Sequence, residues 1–182
     1  ALLAPSFAPA AQAKPVTSQE AMKELRDRGA SIRDSVLIFG EPMISAEHED
    51  QGYRLVLSQC VKPDFACNVS VFSACQTAGP LTPDELIEFA NEQNKQPTSR
   101  GTIYADRDGG VGNVICIRQR RDLHQEDVFD MADVFAWHTI LRDFSGAVEA
   151  AKRDKQVRDL LGIDDQTGSG TPRGAFAQPP LQ

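Results

Sequence analysis

Residues 53–75, YRLVLSQCVKPDFACNVSVFSAC, restrict the fold more than any other part of the chain. Apolar and polar residues alternate with a period of two on both sides of a six-residue loop, and Cys60 and Cys67 flank that loop. Such alternation gives each of two strands one apolar face, and the short connection makes the strands antiparallel. If Cys60 faces Cys67, Val56 pairs with Val71 and Leu55 with Phe72, and Tyr53, Leu55, Leu57 and Phe72 share a face. A bond between the two cysteines closes a loop of eight residues and is worth about 2.5 kcal/mol in the chain-entropy account. A redox centre would instead want Cys-X-X-Cys at a helix N-terminus, where the dipole lowers a thiolate pKa. A zinc site would want a second close-spaced pair, which Cys75 and Cys116 do not supply. The Cys60–Cys67 loop therefore reads as a structural staple. Cys75 lies on the same sheet face as Cys67, and Cys116 lies in a later strand; a second bond and two buried free thiols both remain open for that pair.

The flanking segments extend the pattern. Thr17-Ser18-Gln19-Glu20 spells a capping box for a short helix with Ala21, Met22 and Leu25 inward and Gly29 as its left-handed stop. SVLIF (35–39) and MIS (43–45) read as strands around Gly40-Glu41-Pro42, followed by a polar loop, AEHEDQG. In GPLTPDEL the period changes: Thr82 can cap, Pro83 suits the first turn, and Leu86, Ile87, Phe89 and Ala90 form an inner face. Ile103-Tyr104 and Val114-Ile115 flank Asp108-Gly109-Gly110, which suits a hairpin turn. From Gln125 onward, Val134, Trp137, Leu141, Phe144 and Val148 recur at spacings of three and four, predicting a long helix across the sheet. The expected fold is α+β, an antiparallel sheet with helices packed on one face.

With 41% hydrophobic and 25% charged residues in 182, the chain has the composition of a single domain with polar ends. Residues 1–13 end in Ala11-Gln12-Ala13 and read as the remnant of a secretory signal peptide, residues 14–160 as one domain, and 161–182 as a disordered tail. Export implies a periplasmic or secreted bacterial protein, in a compartment where an even number of cysteines can pair. No run of about eighteen apolar residues is present, so no integral membrane segment is expected. The net charge of −7 points away from nucleic acid, and Arg118, Arg120 and Arg121 are followed by acids, as on a solvated strand end.

The run YRLVLSQC…CNVSVFSAC, then ELIEFANEQNK, RGTIYADRDGGVGNV and DVFDMADVFAWHTILRDF, resembles the YbjN-like family of bacterial proteins over roughly residues 17–150. Exported members carry a similar Cys-loop-Cys hairpin, an aromatic-Asn helix and a Gly-X-X-Tyr strand. The resemblance implies a type III secretion chaperone-like fold and a sensory transduction or regulatory label. Phe89, Pro97, Cys75 and Cys116 depart from that pattern.

No catalytic or cofactor-binding constellation is spelled out. Asp106 and Asp108 alternate as in a calcium loop, but the remaining ligands and the closing glutamate are missing. His48 sits in an acidic turn, His124 at a helix entry and His138 beside Trp137, none with metal-ligand spacing. No metal, cofactor or enzymatic activity is expected. The last helix carries more apolar positions than one stripe consumes, which marks Phe135, Trp137, Ile140 and Phe144 as a candidate surface for a protein partner or self-association. The expected function is a non-catalytic, chaperone-like or regulatory binding module. The alternative is a thiol-dependent redox protein or sensor using Cys60 and Cys67, or Cys75 and Cys116.

Overall fold

The computed structural model describes residues 15–95, 101–106, 113–123 and 129–163. The expectations for residues 1–13, the Asp108-Gly109-Gly110 turn, His124 and the tail beyond Ile163 lie outside the described residues. The chain runs α1 (Ser18–Asp27), β1 (Ser31–Ile38), β2 (Glu41–His48), β3 (Gln51–Val61), β4 (Ala66–Thr77), α2 (Pro83–Lys95), β5 (Thr102–Asp106), β6 (Val114–Asp122) and α3 (Met131–Leu161). The strands form one antiparallel sheet in the order β1-β2-β3-β4-β6-β5. One continuous core contains Ala21 and Leu25 of α1, Leu86 and Ala90 of α2 and Trp137 of α3, so the three helices share a face of the sheet. This is the expected α+β architecture.

Local chemistry explains most boundaries. Thr17 and Glu20 close the predicted capping box on α1, and Gly29, at φ +79°, donates its N–H to the Arg26 carbonyl beyond the helix end. Thr82 and Glu85 do the same for α2, with the Thr82 N–H donating to Glu85 Oε2 at 2.7 Å. Gly101 is needed for a close approach, since a Cβ there would lie 3.1 Å from the Arg118 carbonyl oxygen of β6. Asn94 holds β5 against α2 by donating to the Ile103 carbonyl and accepting from its N–H, at 2.8 and 2.9 Å.

Two boundaries differ from expectation. The polar loop AEHEDQG is mostly strand: His48 pairs with Gln51, and only Glu49 and Asp50 turn, with φ of 49° and 62°. Two successive left-handed residues give a turn whose twist matches the flanking strands, so no longer loop is required. The β1–β2 connection is equally short, with Phe39 at φ 52° and Gly40 at φ 85°. The last helix begins at Met131 rather than Gln125. Asp130 accepts from the Ala132 and Asp133 N–H groups, and Asp133 accepts from the Asp130 N–H, a capping box built from two aspartates. Asp133 is buried and forms an ion pair with Arg121 of β6, anchoring the start of α3 to the sheet. At the other end Lys155 and Arg158 approach Glu85 of α2, at 3.3 and 3.6 Å.

The predicted stripe of α3 is buried throughout, at Val134, Trp137, Leu141, Phe144 and Val148. The Trp137 indole stacks on Phe72 at 5.1 Å and meets Tyr53 edge-on at 5.9 Å. This corrects part of the candidate partner surface. Trp137 is 0% and Phe144 3% exposed because both complete the sheet-facing stripe, while Ile140 packs partly against the core and only Phe135 stands out, at 59%.

β3 and β4 adopt the register deduced above, with Leu55 opposite Phe72, Val56 opposite Val71 and Cys60 opposite Cys67. The Cys60 and Cys67 sulfurs are 2.04 Å apart. Cys75 faces Cys116 across β4 and β6, with sulfurs 2.07 Å apart, so the pair left open by the sequence is bonded. Cys67 and Cys116 are fully buried, which leaves an attacking thiolate only Cys60 and Cys75 to approach.

The two bonds close chain segments of very different length, with sequence separations of 7 and 41. In urea unfolding, Cys75→Ser/Cys116→Ser should therefore cost about 4 kcal/mol and Cys60→Ser/Cys67→Ser about 2.5 kcal/mol. Alkylation of unreduced protein should find no free thiol, and both bonds should survive a glutathione buffer. Trp137→Ala should cost about 3–5 kcal/mol in the same unfolding assay, whereas Phe135→Ala should cost less than about 1 kcal/mol.

Candidate functional site

β1 is the first strand of the sheet and, among the described residues, has a strand neighbour only on its β2 side. Its register slips between Ile32 and Asp34, a bulge that blunts the first half of the edge, where Arg33 also reaches across to Glu47 with two contacts of 2.7 Å. The second half has no such protection. Ser35, Val36, Leu37 and Ile38 contain neither charge nor proline and lead into the turn at Phe39. Leu37 is 63% and Phe39 103% exposed, and Val36, Ile38 and Val61 of β3 are exposed as well. The β1–β2 hairpin thus extends past the helices as an apolar arm.

A groove of about 420 Å³ lies against this arm. Val36, Leu37 and Pro42 of the hairpin form one wall, Phe65 and Asp64 of the β3–β4 loop another, and Thr17, Ser18 and Gln19 at the start of α1 supply polar groups. An apolar wall, a polar rim and an unpaired strand edge together provide the three elements used to hold an extended peptide: side-chain pockets, hydrogen-bonding partners and a backbone ladder. The sequence analysis read 35–39 correctly as a strand but placed the partner surface on α3. The usable signal was the unbroken apolar run, since a strand with one buried face alternates and this one does not.

A second cluster forms where the β2–β3 turn meets α3. The His48 and His138 rings stack at 3.7 Å with planes 6° apart, and the Tyr53 hydroxyl lies 3.0 Å from His138 Nε2. Burial, reinforced by His48 and Arg28, pushes the His138 pKa down to about 4, and burial drives the Tyr53 phenol above its usual range. The Tyr53 hydroxyl and a neutral His138 imidazole therefore share one hydrogen bond. On the outer, helix-free face of the sheet, a cleft of about 620 Å³ is lined by Arg33, Glu47, Arg54, Cys75 and Asp106. Among the described residues no three histidine, cysteine or acidic side chains cluster as metal ligands, and no helix is long and apolar enough to cross a membrane.

No family profile matches the sequence, and no curated protein is significantly similar to it. Two solved structures resemble the fold. An uncharacterised protein from Methanothermobacter thermautotrophicus aligns over 77% of this chain and 99% of its own, with a TM-score of 0.54 and 11% identity. YbjN from E. coli aligns over 78% of this chain and 92% of its own, with a TM-score of 0.47 and 13% identity. At such identities the first likeness carries the fold alone, and the second falls too low to add an argument.

Proposed function

We propose that this chain is a non-catalytic, exported YbjN-like module that binds an extended apolar segment of a partner polypeptide along the free edge of β1. The observation that carries this reading is the second half of that edge: four consecutive uncharged residues, Ser35–Ile38, ending in a fully exposed Phe39 beside the 420 Å³ groove. Main-chain hydrogen bonds to β1 supply affinity, and alternate side chains of the partner enter the groove or pack on Leu37 and Phe39. Each partner side chain adds selectivity only where it meets Val36, Leu37 or Phe65. The two disulfides are compatible with an oxidising compartment, which supports export. The net charge of −7 argues against a nucleic acid in the groove. The reading needs no cofactor.

An array of extended apolar peptides of ~10 residues, long enough for one strand, tests this directly. Bound peptides should slow amide exchange across Ser35–Ile38. Leu37→Asp and Phe39→Asp should each lower affinity at least about tenfold while leaving the melting temperature within a few degrees. Sedimentation of the peptide-free protein tests the other occupant of the edge, since a dimer lost in the same two variants would assign it to a second copy. A monomer whose β1 amides stay unprotected by every peptide overturns the proposal.

A further inference from the structure

Arg28 follows the last residue of α1, and its guanidinium carbon lies 5.5 Å from the centre of the Phe135 ring. A guanidinium held over an aromatic face still presents its N–H edge to an acceptor in its own plane. One α3 face contributes Phe135, His138, Thr139 and Arg142 at spacings of three and four, and the end of β2 contributes His48. Gly29 lies beside the site, since a Cβ there would be 3.9 Å from His48 Cε1. The resulting cleft has a volume of about 230 Å³, smaller than pockets for drug-sized ligands, which start near ~300 Å³.

The charge in this cleft runs against the rest of the molecule. In a chain of net charge −7, two arginines line it beside two histidines and against one acid, Glu49, whose side chain is 71% exposed and 3.9 Å from His48 Nε2. Arg142 faces Asp143 only at 3.9 Å, on the exposed side. Two nitrogens of the cluster are buried without a hydrogen-bond partner, Arg28 Nε and His48 Nδ1. Buried polar groups left unpaired are costly, and a cationic donor such as Arg28 Nε most of all. Water could satisfy the hydrogen bonds but not the excess positive charge. A metal ion would be repelled by the two guanidinium groups.

We propose that the cleft formed by Arg28, His48, His138 and Arg142 binds a small oxyanion, a phosphate or carboxylate group, either free or carried on a larger molecule. The anion supplies acceptors to Arg28 Nε and His48 Nδ1 and balances Arg142. Binding is linked to proton uptake. Burial, His48 on β2 and Arg28 at the end of α1 favour neutral His138; Arg142 on α3 lines the same cleft, Glu49 and Asp143 are exposed acids at the rim, and Tyr53 on β3 hydrogen-bonds the ring. An added negative charge makes the histidine cation less unfavourable, so affinity rises as pH falls toward the His138 pKa.

The test is a titration of the full chain with inorganic phosphate, read from the histidine ring signals in NMR and repeated with chloride at matched ionic strength. Phosphate should shift the His48 and His138 signals saturably, and should raise the His138 midpoint from about 4 toward its ordinary value near 6.5. Arg28→Gln should weaken phosphate at least about tenfold, whereas Arg54→Gln, on the opposite face of the sheet, should leave it unchanged. Tighter binding of N-acetylphosphoserine amide than of phosphate would assign the group to a larger molecule, and equal or weaker binding to a free ion. Shifts that never saturate, that chloride reproduces, or that persist in the Arg28→Gln/Arg142→Gln variant overturn the proposal.

Discussion

The Trp137 indole lies nearly parallel to the Phe72 ring, with Tyr53 against its edge and Phe129 stacked on the other part of Phe72 at 6.0 Å. Phe72 sits on β4, which pairs with β3 on one side and β6 on the other, so this aromatic group joins the middle of the sheet to the second turn of the long helix. Large rings bury much surface per residue and tolerate few relative orientations. Once Trp137 is seated, the direction of α3 and the side of the sheet it covers are fixed. Arg121 against Asp133 and Glu85 against Lys155 then hold the two ends. The histidine cleft depends on the same seat, because His138 follows Trp137 in the helix and reaches Tyr53 from the same turn.

Period and register were legible from the residues, and long-range neighbours were not. The strand pairs β1–β2 and β3–β4 and the stripe of α3 follow from alternation at two and at three to four residues, which chain geometry alone dictates. The β3–β4 register followed from one assumption about Cys60 and Cys67. The start of α3 was missed because the apolar spacing from Val134 onward does not mark a first turn, which Asp130 and Asp133 set by capping. Assigning Trp137 and Phe144 to a surface overlooked how wide a twisted six-stranded sheet is, and how much of a helix it can cover. The stack of His48 on His138 joins residues ninety positions apart and has no local signature. Each histidine by itself reads as an ordinary polar residue, and their meaning comes from the crossing of the β2–β3 turn with α3.

The molecule has two chemically different regions on either side of α1. Near its first residues lie the apolar arm and groove; just past its last residue, Arg28 borders a cationic cleft. A single short helix, capped at one end by Thr17 and Glu20 and at the other by Gly29, therefore sets the distance between them. The disulfides hold β3, β4 and β6 together, and the Cys60–Cys67 bond closes the loop whose Asp64 and Phe65 wall the groove.

Phe39 occupies a left-handed backbone position at the tip of the hairpin with its ring in solvent. A bulky side chain is poorly suited to that conformation, and folding alone would favour asparagine or glycine there. The ring adds nothing to the core either, so the chain tolerates a local cost of roughly 1–3 kcal/mol for a group that the isolated fold does not use. Stability and use are thus opposed at this one residue, and the arm is a place where a better-folding variant would be expected to be a poorer protein.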